Sequence, residues 1–82
     1  MRAYYFKPRA EADLDDLHAY DDLEMIHEAV NGLAAGEKQG YEVPLQSPFL
    51  GAKEILHQYQ VGRYKLNYTL TKKELIVQSV MV

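Results

Sequence analysis

The sequence contains no cysteine. Disulfides and thiolate metal sites are therefore excluded, and nothing points to a secreted, disulfide-stapled scaffold. No apolar run is long enough to span a bilayer, and Met1-Arg2-Ala3-Tyr4-Tyr5 does not have the form of a signal peptide. The expectation is a cytoplasmic protein with no membrane partner. No phosphate-binding loop is present either: Gly32, Gly36 and Gly40 punctuate a helix and a turn, with no Lys-Ser/Thr after them. Ser47 and Ser79 have no nucleophile context. His18, His27 and His57 lack metal-ligand spacing, so neither a metal nor a cofactor is expected.

What is present fits one globular domain over residues 1–82, since a hydrophobic share of 48% with 26% charged residues can build a modest core. The net charge of -3 is unevenly spread. Up to Pro48 there are four Lys/Arg against ten Asp/Glu; from Phe49 onward there are five against two. An acidic front and a basic back make a polar molecule that could present a surface to an anion. The acidic residues Asp13, Asp15, Asp16, Asp21, Asp22 and Glu24 lack the glycine and spacing of a calcium loop, and read as solvated helix faces.

The hydrophobic pattern predicts a strand over Arg2–Phe6, ended by Lys7-Pro8. Ala10, Leu14 and Leu17 fall at helical spacing within a first helix over Arg9–Tyr20. Asp21 and Glu24 have capping-box spacing before a second helix lined by Leu23, Ile26, Val30 and Leu33, with Gly36 as its stop. Tyr41-Glu42-Val43 reads as a short edge strand before Pro44, and Pro48 and Gly51 bracket a loop. A strand then places Ile55, His57, Tyr59 and Val61 on one face and Leu56, Gln58 and Gln60 on the other, with a tight turn at Val61-Gly62. Over Arg63–Leu70, Tyr64, Leu66, Tyr68 and Leu70 alternate with Arg63, Lys65, Asn67 and Thr69. Thr71–Glu74 is a charged hairpin turn, and Leu75–Val82 is apolar enough for a central strand. The fold expected is α+β: an N-terminal strand, a helical hairpin and three to four antiparallel strands in a two-layer sandwich.

Six of the seven tyrosines fall in predicted strands, where tyrosine suits half-buried positions and can also stack on bases. Histidine 57, on the face of Tyr59, reads as packed rather than catalytic. Arg63 and Lys65, two apart on one strand, are expected to point the same way and to meet an anion such as a phosphate, with Lys53, Lys72 and Lys73 nearby in sequence. The alternative is a solvated, charge-protected edge.

The segment Val61-Gly62-Arg63-Tyr64-Lys65-Leu66-Asn67-Tyr68 resembles the RelE/ParE superfamily of toxins, whose members usually carry a glycine, one residue, Tyr-Arg, two residues and Tyr. The order of elements from Ala3 to Val82 is similar as well. The resemblance implies the toxin of a type II toxin–antitoxin pair, bound by a cognate antitoxin. RelE-like members cut mRNA in the ribosomal A site; ParE-like members inhibit DNA gyrase. On the RelE-like reading, Lys65 and Arg63 act on the phosphate, while Lys53, Gln58 and Gln60 line the substrate site. The sequence departs from the family at Lys65, where arginine is usual, and at Gln58 and Gln60, where the nucleases carry basic residues. It stops at Val82, before the family's C-terminal catalytic segment. The alternative is a non-catalytic binding module: a gyrase inhibitor, an antitoxin-sequestering protein or a homodimer.

Overall fold

The computed structural model describes residues 2–17, 20–43 and 55–82, the side chain of Tyr20 excepted. His18, Pro44, Ser47, Pro48, Gly51 and Lys53 lie outside the described residues. The architecture is α+β, with two helices and a five-stranded mixed sheet among the described residues.

The first strand, β1, spans Ala3–Phe6. Tyr4 and Phe6 turn toward the core while Ala3 and Tyr5 stay exposed. Pro8 then opens the first helix, α1 (Pro8–Asp15), at a position where its missing N–H costs nothing. The periodicity predicts a longer helix, reaching Tyr20. The helix ends early because its C-terminal turn holds Asp13 and Asp15, followed by Asp16, with no basic residue to balance the negative end of the dipole.

The second helix, α2, spans Tyr20–Ala34. Asp21 lies in its first turn and is not the cap that the capping-box spacing suggests. Ile26, Ala29, Val30, Leu33 and Ala34 form its buried stripe. At the other end Gly36 adopts φ +79°. The Glu37 N–H donates to Gly32 O and the Gly36 N–H to Leu33 O, at 2.9 and 3.2 Å. This is a Schellman cap, which an L-side chain at the glycine position would strain.

Strands β2 (Tyr41–Glu42), β3 (His57–Val61), β4 (Tyr64–Leu70) and β5 (Glu74–Met81) follow, and the sheet order is β1-β5-β4-β3-β2. β2 to β5 pair antiparallel, and β1 joins the free side of β5 in parallel, with Tyr4 opposite Leu75 and Phe6 opposite Val77. The apolar β5 is thus central along its first half, as its composition predicts. β1 stops opposite Val77, which exposes the edge of β5 beyond that point. There the carboxylate of Asp13 on α1 accepts the Val80 N–H at 2.9 Å.

The helices cover one face. Ala10, Ile26, Ala29, Val30, Leu33 and Ala34 pack on Tyr64, Leu66, Tyr68, Leu75, Val77 and Val80. Strict alternation along β5 would put Val77 and Val80 on opposite faces. A bulge between Asn67 and Tyr68 leaves Gln78 without a partner and reverses the phase. Val80 therefore reaches the core, and Ser79 turns to the face opposite the helices.

Candidate functional site

The sheet face opposite the helices carries three of the predicted site residues, Gln58, Gln60 and Lys65. Its side chains come from Gln58 and Gln60 on β3, Lys65, Asn67 and Thr69 on β4, and Ile76, Ser79 and Met81 on β5, by alternation and register. A row of hydrogen bonds crosses three strands at its centre. Gln58 Nε2 donates to Asn67 Oδ1 at 3.0 Å, and Asn67 Nδ2 donates to Ser79 Oγ at 3.0 Å. The Tyr41 hydroxyl on the edge strand donates to Gln58 Oε1 and extends the row. Gln78 Nε2 donates to Thr69 Oγ1 at 3.0 Å beside it. Asn67 and Thr69 are only 6% and 2% exposed, so these bonds satisfy groups that would be costly to bury unpaired.

Of the residues predicted for the site, Lys65 and Gln58 share this face, and Gln60 lies opposite Lys65 on β3. Lys65 is exposed, flanked by Gln60 on one side and Met81 on the other. Among the described residues it is the only cation that the strands place on this face. Gln60 is committed locally, its Nε2 donating to Gly62 O at 2.7 Å.

Arg63 does not point the way Lys65 does. Gly62, at φ +55°, and Arg63 form the two-residue connection between Val61 and Tyr64, so Arg63 lies outside the strand's alternation. Glycine at the first central position is the type II′ preference. The guanidinium folds onto the helix side instead, 5.2 Å from the Tyr64 ring centroid. Nη2 lies 3.1 Å from the Tyr64 hydroxyl and 3.5 Å from Asp22 Oδ2. The Tyr64 hydroxyl donates to that same carboxylate oxygen at 2.6 Å. The bond to Tyr64, then the charge of Asp22, hold the guanidinium above its ordinary pKa. The side chain is 71% exposed, so the pair with Asp22 contributes little to stability.

The acidic front of the sequence is also distributed among structural tasks: Asp22 anchors Tyr64 and Asp13 terminates the edge of β5. Among the described residues no three His, Asp or Glu side chains converge as a metal site would require.

His57 sits on the helix side, stacked on Tyr68 with ring centroids 5.3 Å apart and planes at 21°. Its Nδ1 lies 3.1 Å from Ile55 O. The Tyr68 hydroxyl accepts the Gly40 N–H at 3.0 Å. Burial pushes the Tyr68 hydroxyl up from its ordinary pKa, against a lowering by the Gly40 hydrogen bond and by Arg2. Sequence periodicity finds the inward face of Tyr68 but not its partner Gly40, because that contact joins residues 28 apart.

Chemically, the described residues of this face offer one exposed strand cation, Lys65, beside a largely buried row of neutral donors and acceptors. The face can meet an anion at Lys65, while the row, paired and largely buried, stiffens the sheet across β3, β4 and β5. No helix among the described residues is long and apolar enough to cross a membrane. No protein-family model matches the chain, and no curated protein matches it significantly.

Proposed function

We propose that this protein is the toxin component of a type II toxin–antitoxin pair, of the RelE-like kind, acting on ribosome-bound mRNA in the cytoplasm through the sheet face opposite the helices. One observation carries the reading. The Gly-x-Tyr-basic-x-x-Tyr segment, Gly62 to Tyr68, forms the hairpin turn and most of β4, in a chain ordered as strand, two helices and a strand meander. Tyr64 and Tyr68 belong to the core, and the basic residue between them, Lys65, is exposed on the opposite face. The motif's tyrosines therefore hold the sheet against the helices while its cation is presented outward. When a 2′-hydroxyl gives up its proton and attacks the adjacent phosphorus, the bond to the 5′-oxygen breaks and that oxygen leaves with a proton. The phosphorane oxygens gain negative charge on the way, and Lys65 supplies the positive charge that meets it. The exposed Gln60 lies beside it, and the largely buried Gln58–Asn67–Ser79 row stiffens the strands that carry it. The cognate antitoxin is the expected protein partner.

A second reading is favoured by the position of Arg63. With that guanidinium folded onto Asp22 and Tyr64, the face keeps a single described cation. One lysine suits binding better than phosphoryl chemistry, because lysine is a point charge without the bidentate fork of arginine. In that reading the protein is a non-catalytic module that inhibits gyrase, sequesters an antitoxin or pairs with itself.

Induced expression in a bacterial host, with Lys65→Gln matched in protein level, tests both. The nuclease reading expects growth arrest by the native chain and its loss in Lys65→Gln. Arrest by both proteins sinks the nuclease reading in favour of the second. No arrest by either sinks the toxin assignment.

A further inference from the structure

A second feature lies on the helix side of the sheet, at the opposite end of β4 from the Gly62 turn. A cleft of about 250 Å³ is lined by Arg2, Lys38, Gln39, His57 and Tyr68, with Leu33, Gly36 and Leu70. Among the described residues no carboxylate lines it. In a chain with more acidic than basic residues, this concentrates positive charge in a concave space.

The construction of the cleft is specific. Arg2 Nε donates to Thr71 O at 2.8 Å, which fixes the guanidinium while leaving its terminal nitrogens for other acceptors. The Lys38 N–H donates to Gly32 O at 3.1 Å as part of the α2 cap, which sets the root of the lysine side chain. Tyr68, almost fully buried, brings its hydroxyl into the wall. That oxygen already accepts the Gly40 N–H, and among the described residues nothing accepts its own proton. His57, stacked on Tyr68, supports the ring from one side. The C-terminal carbonyls of α2 would otherwise repel an anion here. They are already engaged: Gly32 O by Glu37 and Lys38, Leu33 O by Gly36, and Ala34 O by the Arg2 N–H at 3.0 Å.

We propose that this cleft is an anion site for a phosphate group, with Arg2 and Lys38 supplying charge and the Tyr68 hydroxyl donating a hydrogen bond. Two cations and a hydroxyl donor exceed what a monoanionic carboxylate uses, whereas a dianionic phosphate engages all three. Arginine offers paired donors to phosphate oxygens and lysine a mobile point charge. The volume falls just below the range of about 300–1,000 Å³ typical of whole small-molecule ligands, which suits a phosphoryl group better than an entire nucleotide. The site is on the other side of the sheet from Lys65 and does not depend on the toxin reading.

Balancing the dipole of α2 is the competing role for Arg2 and Lys38, and it would leave them indifferent to which anion is added. The test is an amide NMR titration of the intact chain with sodium phosphate at fixed ionic strength. Sodium acetate serves as the monoanion control, and a 5′-AMP arm distinguishes free phosphate from a phosphomonoester. The expected result is saturable shifts at Gly36, Gln39 and Gly40 with phosphate, 5′-AMP or both, and none with acetate. Arg2→Gln and Lys38→Gln should each weaken binding by about tenfold or more, the loss of one charged hydrogen bond. Lys65→Gln should leave it unchanged. Lys38→Gln is the informative variant if Arg2→Gln unfolds, because the Lys38 side chain is exposed. Shifts that never saturate, that are equal with acetate, or that persist unchanged in a folded Lys38→Gln protein would overturn the proposal.

Discussion

Single residues set the tightest tolerances at Gly40 and Tyr68. A Cβ at position 40 would fall against the Tyr68 hydroxyl and 2.6 Å from Gln58 O. The second contact is backbone and cannot rotate away. Gly40→Ala should therefore destabilise the fold by about 1–3 kcal/mol, the usual range for overpacking, read as a lower urea midpoint. The same tyrosine predicts an alkaline limit. Its folded pKa is raised above the ordinary value of 10.0 by burial. The folded state then holds the proton more tightly than the unfolded state. The contribution is complete below the unfolded pKa and is lost as pH rises through the folded one. Urea midpoints measured across pH 8–11 should fall above about pH 10 more steeply in the native protein than in Tyr68→Phe. Equal slopes would contradict the assignment. Period-two alternation was enough to mark Tyr64 and Tyr68 as inward. It could not show what their hydroxyls bind, since Asp22 and Gly40 lie 42 and 28 residues away along the chain.

Among the elements, β5 departs most from what local sequence implies. Its apolar run predicts a central strand, and it has neighbours on both sides over Glu74–Val77. Beyond that point the partner is the side chain of Asp13. Asp13→Ala should leave the Val80 N–H without that acceptor. The expected cost is about 1–3 kcal/mol if water does not replace it, with faster hydrogen exchange at Val80 than at Val77. Unchanged exchange at Val80 would show that the carboxylate does not terminate the sheet edge. The Gln78 bulge was invisible in the sequence because Val77, Gln78, Ser79 and Val80 fit two phases of alternation equally well. Helix ends were legible where backbone geometry demanded a residue, as at Gly36, and not where charge decided, as at Asp15. The face expected for Arg63 failed for a similar local reason: the two-residue turn includes it, and Asp22, distant in sequence, draws its side chain to the helices.

At the scale of the molecule, the helices form a layer on one side of the sheet, the other side carries mostly polar side chains, and Lys65 is its only described strand cation. The layering follows from the grouping of helices before the strand meander, so it could be read from element order. The composition of the open face could be read only in part. Lys65 and Gln58 share it as alternation requires, but the row through Asn67 and Ser79 depends on the bulge, and Lys53 lies outside the described residues. The central claim is that this face acts on mRNA through Lys65. Primer extension on a defined mRNA in a reconstituted translation reaction tests it most directly, comparing the native protein with Lys65→Gln. The account predicts discrete, ribosome-dependent cuts by the native protein and about 100-fold or greater loss of cutting in Lys65→Gln, the scale of removing one transition-state contact. Intact mRNA with the native protein in excess over ribosomes, or equal cutting by both proteins, would contradict it.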